Sequence, residues 1–136
     1  MLKKLEYSTP HKILVSVSLY DRITIIGGDS STGKSFIKET SQEFYNDEEK
    51  TLIEVFDYRR TVDLAVLRAL KNRLIIIDNA DVILDGKDAI CEHINSDSAN
   101  MYLLFMRSEN GIDVSIDNYA ELKLIENVLT TEYEYR

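Results

Sequence analysis

The sequence predicts an α/β domain built on a mainly parallel sheet, and three observations lead there. Short apolar, β-branched runs alternate with segments of helical periodicity between residues 13 and 106, the pattern of strands joined by right-handed crossovers. One strand-to-helix junction carries Gly28-Asp29-Ser30-Ser31-Thr32-Gly33-Lys34-Ser35, a glycine-rich turn with the spacing G-x-x-x-x-G-K-[ST]. Further on, Leu74-Ile75-Ile76-Ile77 is closed by Asp78, which reads as a strand buried on both faces with an acid at its end.

Residues 1–11 read as a polar N-terminal tail, set off by Pro10, the single proline. Ile13 to Ser18 alternates as a half-buried strand does. Leu19-Tyr20-Asp21 can turn it back into a buried strand at 22–26, giving an antiparallel N-terminal hairpin. A helix follows the glycine-rich turn from Phe36 to Tyr45, and the charged stretch 46–50 is a turn. Residues 51–56 form the next strand, Thr61 is a candidate N-cap, and Val62, Ala65, Val66 and Ala69 share one face of a helix over 62–71. After the strand at 74–78, residues 85–96 hold a short helix with Ile90 and Ile94 one turn apart. Met101 to Met106 is an apolar strand ending at Arg107-Ser108, and 109–111 is a turn. Residues 119–125 and 128–133 suit two closing strands, although 119–129 also suits a helix. Residues 130–136 read as a C-terminal edge strand or tail.

The 136 residues suit a single domain over 1–136, and 44% hydrophobic content is enough to build a core. No apolar run approaches the ~20 residues of a membrane span, and the first residues lack the apolar stretch of a signal peptide. Cys91 is the only cysteine, so no intrachain disulfide forms and a cytoplasmic location is expected. A formal net charge of −8 opposes direct nucleic-acid binding, which needs a basic face.

The chemistry of residues 28–35 follows from what a triphosphate demands. Several negative oxygens lie close together, and a backbone packs around them better than side chains do. Glycines at 28 and 33 permit close approach and dihedrals that a Cβ would block. Successive amides then form an anion nest, and the helix behind adds the positive end of its dipole. Lys34 supplies a full charge to the β- and γ-phosphates, and the Ser35 hydroxyl a ligand for Mg²⁺. The predicted contact set is Gly28, Asp29, Ser30, Ser31, Thr32, Gly33, Lys34, Ser35 and Phe36, with Asp29 turned away from the phosphates. Asp78 falls where doubly wound sheets bind ligands, at the C-terminal strand ends.

On Gly28 to Ser35, Leu74 to Asp78 and the intervening strand at 51–56, the chain resembles the P-loop NTPase superfamily. It looks most like the branch with an additional strand between the Walker A and Walker B strands, which includes AAA-, STAND- and ABC/SMC-type ATPases. The resemblance spans roughly residues 12 to 108. It implies a three-layer P-loop fold with a mainly parallel central sheet of order 5-1-4-3-2, ATP and Mg²⁺ as cofactors, and a metal held by Ser35 and Asp78. The implied catalytic set is Lys34, Asp78, Asn79, Asp81 and Arg107. Arg107 stands where the branch carries a γ-phosphate sensor. Asn79 stands where it usually carries a glutamate, and an amide can orient water but not take its proton. Asp81 is the nearby acid. The resemblance therefore implies either a weak or partner-dependent ATPase or a non-hydrolysing nucleotide-dependent binding module. A small phosphotransferase fits less well, since no arginine cluster for an acceptor is visible. The expected partners are a nucleoside triphosphate and a protein, either a second copy of the chain or another. Arg59 and Arg60 follow the strand at 51–56; they suit an arginine finger or, more simply, pairing with the acidic surface. His11, His93 and Cys91 lack the spacing and number of a zinc site.

Overall fold

The first strand lies inside the segment that reads as a tail. The computed structural model describes residues 3–27, 33–47, 52–107 and 111–136. In chain order the elements are β1 (Lys4–Ser8), β2 (Leu14–Ser18), β3 (Ile23–Ile26), α1 (Lys34–Asp47), β4 (Leu52–Phe56), α2 (Leu64–Ala69), β5 (Arg73–Ile77), α3 (Ala80–Ile83), α4 (Asp88–Ser96), β6 (Met101–Phe105), a 3-10 turn (Ile116–Asn118), β7 (Tyr119–Ile125) and β8 (Val128–Tyr133). Lys4-Leu5-Glu6-Tyr7-Ser8 alternates strictly, with Leu5 and Tyr7 inward, so the period-2 signal was present in a stretch too short and charged to stand out.

All eight strands join one sheet in the order β1-β2-β8-β7-β3-β6-β5-β4. The β1/β2 and β7/β8 pairs are antiparallel, and the remaining neighbours run parallel. The hairpin predicted over 13–26 does not form. β2 lies between β1 and β8, and β3 between β6 and β7. The tight turn is at 9–12 instead, closed by the Thr9 amide on the Ile13 carbonyl at 3.0 Å, with Lys12 at φ 63°. The alternative at 119–129 resolves as a hairpin whose two turn residues, Glu126 and Asn127, both have positive φ, the geometry whose twist matches paired strands. β8 is interior to the sheet, not at its edge.

The predicted fold class, a three-layer P-loop fold on a mainly parallel sheet, is thereby corrected. What forms is a mixed, eight-stranded sheet curled into a half-barrel, with few helices. The physical reason lies in β1, β2 and β8, which extend the sheet beyond β7, and in the strong twist that antiparallel ribbons add. Helix α1 lies in the resulting trough and touches both edge strands, β1 and β4. The Tyr7 hydroxyl on β1 meets Thr40 Oγ1 on α1 at 2.6 Å, and the Tyr7 ring stacks on Phe44. A flat sheet of this width could not bring both edges to one helix.

The two faces make two cores. Leu5, Val15, Val17, Ile26, Ile53, Val55, Leu74, Ile76, Leu103, Phe105, Leu122 and Leu129 pack with Ile37 of α1. On the other face Ile23, Ile25, Phe56, Ile75, Ile77, Tyr102 and Leu104 pack with Leu67, Ala80, Ile90, Cys91 and Ile94 from the short helices. Consecutive residues of β5 and β6 alternate between these clusters, which is why their sequences are unbroken apolar runs. Helix α2 is capped by Asp63, whose carboxylate accepts from the Ala65 amide at 2.8 Å, in place of the expected Thr61. The single turn of α3 was not anticipated. Among the described residues no helix is long and apolar enough to cross a membrane.

Candidate functional site

Parallel pairing of β3 with β6 and of β6 with β5 puts three strand C-termini side by side at one rim of the sheet. Each strand delivers one predicted residue there. β3 leads through the glycine-rich segment to Lys34, the first residue of α1; β5 leads directly to Asp78; β6 leads through Met106 to Arg107. Lys34, Asp78, Asn79, Asp81 and Arg107, with Phe105 and Met106, line one depression of about 60 Å³. That is well below the ~300–1,000 Å³ of a site enclosing a whole small molecule, so it suits a terminal phosphate rather than a nucleotide. Gly28, Asp29, Ser30, Ser31 and Thr32 lie outside the described residues.

Gly33 precedes the helix at φ +94°, and a Cβ there would come within 2.9 Å of Leu129 Cδ2 on β8. The dihedral favours glycine, and a Cβ would in addition push the Leu129 methyls aside. The Ile37 amide bonds the Gly33 carbonyl at 3.0 Å, which starts α1 at this point. The first amides of a helix have no acceptor within it and carry its positive dipole end. Lys34 is 7% exposed, its stem packed at the rim. Ser35 is exposed. Phe36 is half-buried against the first core, and its ring lies edge-on to His11 at 6.0 Å.

Asn79 adopts the left-handed conformation, φ 53° and ψ 42°, and its carbonyl accepts the Val82 and Ile83 amides that open α3. Asparagine is among the few side chains that tolerate this region. Arg60 bonds Glu54 Oε2 at 2.7 Å, with its guanidinium over Phe56. Arg59 bonds the Tyr58 hydroxyl and lies over that ring. Both are committed on the β4 side, as the simpler reading expects.

The residue missed in the sequence is Lys38. It lies one turn beyond Lys34 on the same face of α1, and its Nζ reaches Asp78 Oδ2 at 3.1 Å and Asp57 Oδ2 at 3.5 Å. Asp57, just after β4, is fixed in turn by the Arg59 and Arg60 amides on its other oxygen, at 2.8 and 3.1 Å. The side chains of Lys38 and Asp57 are each 14% exposed, that of Asp78 27%. Burial lowers the pKa of Lys38, but Asp78 and then Asp57 outweigh it and leave the ammonium above its ordinary value. Burial likewise raises that of Asp57; the Arg59 and Arg60 amides and Lys38 hold it below the usual carboxylate range. The i, i+4 spacing from Lys34 was the available signal, overlooked because a helix lysine is solvated by default.

This arrangement bears on the metal expected from Ser35 and Asp78. Mg²⁺ takes an octahedron of oxygens at about 2.0–2.1 Å, of which the protein supplies one or two and waters and substrate phosphates the rest. Asp78 is already engaged by an ammonium that two carboxylates hold, and Ser35 faces solvent. As the side chains stand, Asp78 is paired with Lys38 rather than open to a cation. Among the described residues no cluster of three or more His, Cys, Asp or Glu could hold a metal, and Cys91 is buried, its thiol pushed up by burial and by Asp88, which makes it inert. A larger cleft of about 470 Å³ opens beside Gly27, lined by Tyr119, Ala120, Glu121, Glu132 and Glu134; its carboxylates repel phosphate. The chain matches no family model and no curated protein.

Proposed function

We propose that the chain binds a nucleoside triphosphate, with ATP as the default base, at the rim formed by the ends of β3, β5 and β6. The observation that carries this reading is Lys34. It opens a 14-residue helix, follows a glycine whose conformation and packing disfavour a side chain, and shares a phosphate-sized depression with Arg107. Lys34 and Arg107, with the helix N-terminus, offset Asp78 and Asp81 at this rim, and all three favour an anion. The sequence motif at 28–35 has the composition of an anion-binding nest, and the reading does not depend on the strand order of the sheet. The base would extend toward the cleft beside Gly27, where carboxylates can accept hydrogen bonds from an exocyclic amino group.

The same geometry favours binding over turnover. Asn79 is exposed and turned into a helix-opening conformation, and it cannot take a proton from water. Two acids line the depression, Asp81 and the Lys38-paired Asp78, and any hydrolysis is slow or waits on a partner.

Isothermal titration of ATP, GTP and tripolyphosphate into the protein tests this. Lys34→Ala should weaken ATP binding roughly 10- to 100-fold, the worth of a charged hydrogen bond to phosphate. ATP should bind more tightly than tripolyphosphate if the base contributes. Unchanged affinity in Lys34→Ala, or no triphosphate uptake by the wild type, overturns the reading.

A further inference from the structure

We propose that Lys38 holds the divalent-cation position of this site, so that the chain takes up polyphosphate without a metal. The inference deepens the nucleotide-binding reading and rests on it for the identity of the ligand, though not for the exclusion of metal.

The ammonium lies between two carboxylates from different strands, 3.1 Å from Asp78 and 3.5 Å from Asp57. A divalent ion taking its place would need the same Asp78 carboxylate. If both remained, a doubly charged ion would stand within a few ångströms of a fixed positive charge, and that repulsion opposes entry. Lys38 is also not free to swing away. Both carboxylates hold its ammonium at once, and Asp57 is itself anchored by two backbone amides. The triad is therefore preformed. Lys38 contributes what a metal contributes electrostatically, a positive charge at the end of the acid-tipped strand. It does so from the same helix face that presents Lys34. Lys34 and Lys38 are one helical turn apart in sequence; Lys34 lines the depression with Arg107 and Asp78, and Lys38 reaches that depression's Asp78.

Two measurements decide it. In the first, ATP is titrated calorimetrically with Mg²⁺ and again with EDTA. The wild type should differ by less than about threefold. Lys38→Met should lose about tenfold or more in EDTA and recover in Mg²⁺, and Lys38→Arg should behave as the wild type. In the second, Mn²⁺ alone is titrated against the protein and followed by electron paramagnetic resonance. The wild type should leave Mn²⁺ free, and Lys38→Met should bind about one equivalent at the exposed carboxylates. Wild-type ATP binding that collapses in EDTA overturns the Lys38 assignment and leaves the nucleotide reading intact. Absence of ATP binding in both conditions ends the nucleotide reading; the Mn²⁺ titration still decides whether Lys38 excludes metal. Stoichiometric Mn²⁺ uptake by the wild type overturns that exclusion. If Lys38→Met does not fold, the two wild-type measurements suffice.

Discussion

Asp97 is 7% exposed and accepts three hydrogen bonds, from Tyr102 Oη at 2.6 Å, Asn100 Nδ2 at 2.8 Å and the Ala99 amide at 2.9 Å. Burial raises its pKa, but these donors and the nearby His93 hold it below the usual range. A depressed carboxylate stabilises the fold above its unfolded pKa of about 3.9 and loses that contribution as pH falls through the folded value. Urea midpoints of the wild type should therefore fall below about pH 4, and Asp97→Asn should flatten that dependence. Asp97→Ala should cost about 3 kcal/mol at neutral pH, because it orphans donors inside the second core. Asn79 makes a different kind of prediction. Asn79→Gly should leave the urea midpoint nearly unchanged, whereas Asn79→Val should cost about 1–2 kcal/mol through its left-handed dihedral. In the sequence Asn79 was legible only as a missing glutamate, since a dihedral has no signature in one residue type. Lys38 was illegible for a related reason: its partners, Asp57 and Asp78, come from two other strands, and only the fold assembles them.

At the scale of elements, the strands buried on both faces were the legible ones. β5 and β6 announce themselves as apolar runs because neighbouring residues enter opposite cores. Which strand lies beside which was not legible. Alternation tells a strand which side is inward and nothing about its neighbour, so the strand at 14–18 was paired with 22–26 in place of β8. The contact between Gly33 and Leu129 shows how far such pairing reaches. β8 forms the floor under the hinge that starts α1. Gly33→Ala should lower the thermal midpoint and abolish ATP uptake in calorimetry. Leu129→Ala, which removes the crowding methyls but not the φ of +94°, should fail to rescue it. Rescue would show that space alone, not backbone conformation, fixes glycine there.

Over the whole molecule, a net charge of −8 acts against compaction by self-repulsion. Raising ionic strength from about 0.01 M to about 0.15 M shortens the Debye length from about 30 to about 8 Å. The thermal midpoint should rise accordingly, and a fall would mean that screened ion pairs such as Lys38 with Asp57 and Asp78 outweigh the repulsion. The overall architecture was the least legible scale. Motif spacing locates a loop and an acid, but the curl comes from β1, β2 and β8, whose mutual neighbours are set by contacts between distant parts of the chain. Leu14 pairs with Val128, and this has a temporal consequence. During synthesis β2 emerges well before β8, and the flank of β2 that β8 will cover stays open until β8 has been translated. A ribosome that pauses between them holds a nascent ribbon with a bare amide row. That ribbon is the species on which chaperones would act, and closing it should be the slow step of folding.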